Sequence, residues 1–429
     1  MMEYLPVLLM FVLFLVNIPI AFGMAIAALS YFIVADGLPL PLFVQKLVQS
    51  TDSFPLLAVP FFICAGSIMN RAGITRRLLN LADALVGHMV GGIAQANVVL
   101  ATLMGGLSAS ANAEAAMQAK MLGSEMVRRG YSPGFAAAVT ACAAVITPII
   151  PPGIGLIIYG YLSDVSVGRL FIGGIVPGLM LCIALMVAIH WVSKRVGYKP
   201  LRERRASTRE LGRALLDAMG ALSIIAFILI GIRQGIFTPT EAGAMTVVYA
   251  TLIGVFWHRE LKWAAAPKII VETVLATSAV MIIICAAGAF GFYMSWERLP
   301  ARSAELLIHL TKEPWLLLLL INVGLLVLGM LIEGTAALIL LTPILVPAVT
   351  QLGIDPLHFG LVMVVNLTLG GITPPVGTMM FTTCSILRVK IETYTKAGWP
   401  LMVAMLIVLM LITYIPGLVT WLPTRLMGP

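Results

Sequence analysis

Gly105-Gly106-Leu107-Ser108-Ala109-Ser110-Ala111-Asn112-Ala113-Glu114 interrupts an otherwise apolar segment, Gly91 to Arg129, with small and polar residues that break helix and offer oxygens. The segment is long enough for two short helices. Yet the basic residues at its two ends, Arg76 and Arg77 before it and Arg128 and Arg129 after it, belong on the same side of a membrane. The chain therefore enters and leaves on one side, as a re-entrant hairpin with its tip at about 107–112. Non-helical backbone at membrane depth is tolerated only where protein buries it or a cavity receives it, so this tip has to face a partner.

A membrane reading follows from composition. Of 429 residues, 60% are apolar and only 11% are Asp, Glu, Lys or Arg, against roughly a quarter charged in a soluble domain. Apolar runs such as Tyr4–Val34, Leu179–Val192, Ala221–Ile232 and Met402–Ile415 approach the roughly 20 residues that cross a hydrocarbon core. The short alternating segments of a β-barrel are absent, so the fold class is all-α and polytopic. The net charge of +8 collects in interhelical loops, above all in Lys194 to Arg213. That is the positive-inside pattern of a cytoplasmic loop, and it excludes a nucleic-acid surface as the reason for the charge. The first apolar run follows Met1-Met2-Glu3 without a basic region or a small-residue cleavage site, and reads as a retained helix.

With the basic loops inside, the chain threads consistently from an outside N-terminus. Spans at about 4–18, 20–35 and 54–70 lead to an amphipathic helix at about 75–88 and then to the hairpin. The next crossing, about 134–162, is broken by Ile146-Thr147-Pro148-Ile149-Ile150-Pro151-Pro152-Gly153-Ile154-Gly155, because each proline removes a donor and clashes with the preceding turn. A span at about 170–192 reaches the basic loop. The second half repeats the plan with spans at about 214–234, 239–257 and 269–291 and a surface helix at about 297–312. It continues with a second hairpin, Pro314 to Thr350, interrupted at Gly329-Met330-Leu331-Ile332-Glu333-Gly334-Thr335-Ala336 and entering from the outside. A second broken crossing, Asn366 through Thr378, and a last span at about 398–421 complete it.

Ser110 to Thr147 is 37 positions (147 − 110) and Thr335 to Thr373 is 38 (373 − 335). Two inverted-topology repeats, each with a re-entrant hairpin and a broken transmembrane helix, point to a midplane site in a secondary transporter. Hairpin tips and broken helices expose helix N-termini, which suit an anion, and carbonyl and hydroxyl oxygens, which suit Na⁺. One cation site is expected between Ser108, Ser110 and Asn112 on the hairpin and Thr147, Pro151 and Gly153 on the broken crossing; a second lies between Gly334 and Thr335 and Gly370, Thr373 and Pro374. Substrate contacts are expected from Ser108, Ser110, Asn112, Pro152, Glu333, Thr335 and Thr378. Small residues also serve close helix packing, but two copies at matched offsets from Thr-Pro motifs favour a site. Glu333, ionisable within an apolar stretch, is a functional candidate, with structural hydrogen bonding as the other reading. Glu114 is balanced between the two, and Glu241 starts a helix and reads as a cap or an anchor.

Cys64, Cys142, Cys182, Cys285 and Cys384 show no paired spacing, and the five histidines no metal-ligand spacing. There is no phosphate-binding Gly-x-x-x-x-Gly-Lys-Ser/Thr, and no histidine lies at the depth of Ser108 or Ser110 to act as a base, so neither ATP-driven transport nor hydrolysis is indicated.

Asp52-Ser53-Phe54-Pro55-Leu56-Leu57-Ala58-Val59-Pro60-Phe61-Phe62, Thr147 through Gly155, Phe237 through Ala244, Leu341-Thr342-Pro343-Ile344-Leu345 and Gly371 through Gly377 follow one another as in a known family. The chain resembles the large membrane subunit of tripartite ATP-independent periplasmic (TRAP) transporters over essentially its whole length. The resemblance implies Na⁺-coupled uptake of a small organic anion, a carboxylate or acidic sugar, across the bacterial inner membrane. It also implies a periplasmic substrate-binding protein, a small four-helix membrane subunit, and an elevator motion. Residues 1–74 and 214–296 would then be scaffold, 75–178 and 297–397 the transport part with arm helices, 179–213 the last span of repeat one with the basic loop, and 398–429 the final span. Ser108-Ala109-Ser110 stands where Ser-Gly-Ser is usual, and Glu333 where Asp is commoner. The broader relatives, stand-alone dicarboxylate carriers, are the alternative, and an ion channel, which would need a continuous polar lining, is a third class.

Overall fold

Helix boundaries follow the residues that can satisfy or forgo terminal hydrogen bonds. Ser132, Ser166 and Ser207 accept from the N–H groups of Phe135, Arg169 and Glu210, Asp355 accepts from Leu357, and prolines open helices at 133, 239, 314 and 356, where the missing N–H costs nothing. The computed structural model describes residues 4–16, 18–35, 38–105, 110–311 and 313–428, without the side chains of 304 and 306–310. It is all-helical, with no strand among the described residues. Eight helical stretches are long and apolar enough to cross a membrane, among the described residues.

The first half runs α1 (Leu5–Leu15), α2 (Ile20–Val34), α3 (Leu40–Gln49), a 3₁₀ turn Phe54–Leu57, α4 (Ala58–Arg71) and the amphipathic α5 (Ile74–Val86). The first hairpin is α6 (Gly92–Leu103) and α7 (Ala111–Gln118), which continues through a wide turn, Ala119–Gly123, into α8 (Ser124–Arg128). The broken crossing is α9 (Pro133–Ala144) and α10 (Ile154–Ser163), followed by α11 (Val167–Val196). The second half runs α12 (Thr208–Arg233), α13 (Pro239–Leu252), α14 (Ala266–Trp296) and α15 (Leu299–Leu310). The second hairpin is α16 (Pro314–Leu331) and α17 (Gly334–Gln351), and the broken crossing α18 (Pro356–Gly370) and α19 (Thr378–Leu387). Two differences from the sequence reading stand out. Residues 40–49, read as connection, form α3, whose apolar side packs on α14. The last span is α20 (Ile391–Tyr414), and after Pro416 a separate α21 (Gly417–Met427) follows, because proline cannot continue the preceding hydrogen-bond ladder.

Packing between the halves comes in exchange-related pairs. The third span of each half packs on the second span of the other, α4 on α13 and α14 on α2. The far arm of each broken crossing packs on the hairpin of the other half, α10 on α17 and α19 on α7. Within each half, the hairpin's first arm lies on the near arm of the broken crossing, α6 on α9 and α16 on α18. The helices α1, α2, α3 and α14, with Leu299 of α15 and Leu340 of α17, build an apolar cluster around Met24, Phe32, Phe290 and Tyr293, beside the main core centred on α6, α9, α10, α18 and α20.

Polar ties fix these layers. Glu241 closes a capping box with Thr238 (2.8 Å from the Thr238 N–H), and Thr240 donates to the Phe54 carbonyl at 3.0 Å, so the cap reading of Glu241 describes what it does. On the basic side, Glu260 receives Arg76 at 2.7 Å and Arg77 at 2.8 Å, joining the loop after α13 to the start of α5. Partial burial raises the Glu260 carboxyl, but the hydrogen bond and charge of Arg77, then Arg76, hold it below its ordinary value. A depressed carboxylate stabilises above its unfolded pKa and loses that contribution as pH falls through the folded one. Glu260→Gln is therefore expected to cost about 1 kcal/mol or less at neutral pH, and the difference from wild type should vanish in thermal unfolding at acid pH; a difference independent of pH would contradict this role.

Candidate functional site

Each hairpin tip is organised by the residue that starts its second arm. Glu333 precedes α17, and one carboxylate oxygen accepts from the N–H groups of Thr335 (2.9 Å) and Ala336 (3.1 Å) while the other accepts from the Thr335 hydroxyl (3.0 Å). A negative charge belongs at that end of a helix. In the first hairpin Ser110 caps α7, its hydroxyl accepting from the Ala113 N–H at 3.4 Å. Both broken crossings turn so tightly that a side chain has no room: a Cβ on Gly153 would lie 2.0 Å from the Pro148 carbonyl oxygen, and one on Gly377 2.6 Å from that of Gly371. The Pro151–Pro152 and Pro374–Pro375 peptides are both cis.

These four interruptions meet around one cavity of about 60 Å³. Ser110 and Asn112 come from the first tip, Glu333, Gly334 and Thr335 from the second, Pro148 and Gly155 from the first broken crossing, and Thr368, Gly371 and Thr378 from the second. At roughly 10–15 Å³ of such space per water, the cavity has room for a few waters.

Oxygens without donors occur in both broken crossings. Among the described residues, Asn112 Oδ1 and Thr147 Oγ1 are buried with no hydrogen-bond partner, and the carbonyls of residues 147–152 take no N–H. In the second broken crossing the Gly370 carbonyl accepts from Thr373 (3.0 Å), that of Gly371 from Met379 (2.8 Å) and that of Thr373 from Gly377 (3.2 Å), while among the described residues the carbonyls of 374–376 take no N–H and Asn366 Oδ1 has no partner. The first half therefore adds two buried side-chain oxygens, on Asn112 and Thr147, to free carbonyls that both crossings share, and oxygens without donors are what a hard cation binds.

Of the residues singled out from sequence, Ser110, Asn112, Glu333, Gly334, Thr335 and Thr378 line the cavity. Thr147, Pro151, Pro152 and Gly153 are buried behind its wall rather than on it. Thr373 turns its hydroxyl to the Leu369 carbonyl (2.8 Å), and Pro374 stands off the cavity. Gly370 is used in packing: a Cβ there would lie 2.5 Å from the Gly329 carbonyl carbon, so it lets α18 touch α16 backbone to backbone. Ser108 lies outside the described residues. Glu114 is buried and takes a hydrogen bond from Gln118 at 2.6 Å.

The sequence reading passed over two buried polar clamps that hold the hairpins to the broken crossings. Asn97 of α6 donates to Thr140 of α9 at 3.3 Å. Asn366 of α18 donates to the Asn322 side chain (2.6 Å) and carbonyl (2.9 Å) of α16, and Asn322 donates to Thr413 of α20 at 3.0 Å. The available signal was an asparagine in the middle of each apolar stretch, where polar side chains seldom stand idle.

Comparison with known proteins bears on what this arrangement serves. The sequence profile of the family "Tripartite ATP-independent periplasmic transporter, DctM component" matches residues 7–418. The chain is 42% identical over 96% of its length to the isethionate TRAP transporter permease protein DctMQ of Oleidesulfovibrio alaskensis, of which it spans 65%. It is 37% identical to the sialic acid TRAP transporter large permease protein SiaM of Vibrio cholerae over 96% of each chain. Against the C4-dicarboxylate TRAP transporter large permease protein DctM of Pseudomonas aeruginosa it is 38% identical over 89% of each. Among solved structures, the YdaH transporter of Alcanivorax borkumensis shares the fold with a TM-score of 0.65 at 15% identity, covering 94% of this chain and 98% of that one. MtrF of Neisseria gonorrhoeae shares it at 0.56 and 12% identity, covering 96% and 97%.

Proposed function

Since the chain belongs to the DctM component family of the tripartite ATP-independent periplasmic transporters, a family of multi-pass permeases of the bacterial inner membrane and not of enzymes, we propose that it is the large permease subunit of a Na⁺-coupled importer of a small organic anion. The relatives named for isethionate, sialic acid and C4-dicarboxylates all carry acids that are anions at neutral pH, and the same class is assigned here. A small membrane subunit and a periplasmic binding protein complete the transporter. A stand-alone carrier is not favoured, because the family is tripartite.

The observation that carries this reading is the meeting of both hairpin tips and both broken crossings at one cavity. Coupling has a physical reason there. The Glu333 carboxylate faces the cavity and repels an incoming anion, at a few kcal/mol for unit charges about 4 Å apart at an effective dielectric near 20. A cation bound beside it removes that repulsion. Asn112 Oδ1 and Thr147 Oγ1, buried without partners among the described residues, supply oxygens for the first cation, and Gly334 and Thr335 with the Glu333 carboxylate serve the second. The exchange-related packing of the two halves supports inverted repeats. The packing of α4 on α13 and of α14 on α2 joins spans of the two halves and supports a scaffold against which the hairpins and broken crossings slide.

The test is uptake of labelled organic acids into proteoliposomes, with and without an inward Na⁺ gradient, the binding protein and the small subunit. Uptake that needs all three is expected; uptake by this chain alone would replace the tripartite reading. Ser110→Ala and Thr335→Ala are expected to raise the Na⁺ concentration at half-maximal uptake about tenfold, the worth of one lost charge-assisted contact, with assembly intact. Unchanged Na⁺ dependence in both variants would remove the cation sites from these tips.

A further inference from the structure

A second cavity, about 240 Å³, opens away from the transport site, between the end of α11, the start of α20 and the first turn of α9. Arg195 and Lys396 both line it. Neither has a carboxylate within ion-pair distance among the described residues. Glu392, one turn before Lys396, stays outside that distance. Tyr198 adds a directed donor: its oxygen accepts the Ser132 N–H at 3.0 Å, and a phenol that accepts one bond still has its proton to give. Its ring is fixed by stacking on Tyr131 and Phe135, with centroids 4.2 and 5.4 Å apart. Two cations without carboxylate partners and a hydroxyl donor thus line one space of oxyanion size or larger.

The rest of the wall is apolar. Phe135 and Pro400 line it, and the Trp191 ring, 55% exposed, lies 5.5 Å from the Arg195 guanidinium. Trp399, beside Pro400, is 61% exposed. Tryptophans on the flank and basic residues at the helix ends mark a membrane–water boundary, here the boundary where the basic loop 194–213 emerges. Free phosphate would use the cations and leave the apolar wall bare; a phospholipid uses both. We propose that this cavity binds the phosphate headgroup of an anionic phospholipid of the cytoplasmic leaflet, with the acyl chains along Trp191 and Pro400. Basic pockets between transmembrane helices on that side take such headgroups. The assignment rests on this cavity alone and not on the transport reading.

The experiment is native mass spectrometry of the purified full chain titrated with phosphatidylglycerol, cardiolipin or phosphatidylcholine, with inorganic phosphate as a separate competitor. Arg195→Ala with Lys396→Ala is expected to reduce phosphatidylglycerol and cardiolipin retention about thirtyfold, by the attraction two basic residues exert near an anionic headgroup. Phosphatidylcholine should bind weakly to both proteins. Arg205→Ala with Arg209→Ala removes the same charge from the far part of the loop, at residues that do not line the cavity, and is expected to leave retention within about twofold. Equal losses in the two double variants, no loss in the first, or equal retention of phosphatidylcholine would overturn the site. Displacement of the lipid by millimolar inorganic phosphate would make it a free-anion site and overturn the lipid assignment. If the alanine pair fails to fold, Arg195→Gln with Lys396→Gln removes the same charges with less change in bulk and is read by the same criteria.

Discussion

Replacing Glu333 by alanine is expected to abolish cation-driven uptake, by about a hundredfold or more, through two losses that act at the same tip. The first is the cap: both carboxylate oxygens are engaged by Thr335 and Ala336, and loss of such a cap costs about 0.5–2 kcal/mol. Unwinding the first turn of α17 displaces Gly334 and Thr335 from the cavity they line. The second is the charge. Two carboxylate oxygens offer about four acceptor positions, of which three are taken by protein donors, so one remains for a cation. Conservative variants separate the two losses. Glu333→Gln keeps one oxygen for the cap but removes the charge, and should weaken Na⁺ about tenfold, roughly 1.4 kcal/mol, with normal thermal stability. Glu333→Asp keeps both the charge and an excellent N-cap and should stay within a few-fold of wild type. Uptake and unfolding measured on the three proteins decide the matter: a fully active Glu333→Gln variant would leave the residue a cap and nothing more.

Much of this molecule could be read from local chemistry. The interruptions at 105–114, 146–155, 329–336 and 366–378 announce themselves because Gly, Pro, Ser and Thr in an apolar stretch break helix and leave polar groups to be satisfied. The broken helices fall there, ending at Ala144 and Gly370 and restarting at Ile154 and Thr378. α3 was hidden because its ten residues are bracketed by Pro39 and Ser50, and ten residues are too few for an apolar run to register as a span. The site was legible only to the level of segments. That Thr147 is buried while Pro148 reaches the cavity, or that Gly370 packs while Gly371 lines it, depends on how a non-repetitive turn rotates successive residues, which no periodicity encodes. The asparagine clamps were missed for a related reason: the partners of Asn97 and Asn322 lie 43 and 44 positions away, and their pairing is decided by helix packing.

That packing supplies the second large effect, at Gly370. A Cβ added there would stand 2.5 Å from the carbonyl carbon, 2.6 Å from the Cα and 2.9 Å from the carbonyl oxygen of Gly329. Every one of these neighbours is main chain, so no side chain can swing aside and α16 and α18 have to separate. The reverse contact is as close, since a Cβ on Gly329 would meet the Leu367 carbonyl oxygen at 2.8 Å. Two turns back on α16, Asn322 holds Asn366 at 2.6 Å in a buried network. Separation would strand those amides in an apolar interior, at about 1–3 kcal/mol for each group left unsatisfied, on top of the 1–3 kcal/mol typical of overpacking. Gly370→Ala is therefore expected to lower stability by about 3 kcal/mol or more and to reduce uptake by more than tenfold. The uptake loss follows because Glu333 stands two residues past the end of α16, four after Gly329, and moves with it. Gly324→Ala on the same helix α16, where a Cβ meets nothing within 4 Å, is the internal control and should lie within about 0.5 kcal/mol of wild type. Thermal unfolding and proteoliposome uptake of the two variants side by side give the answer. If both alanines behave alike, the backbone contact between Gly329 and Gly370 does not hold the second tip in place, and the tip's position has to be explained by the Asn322–Asn366 clamp alone.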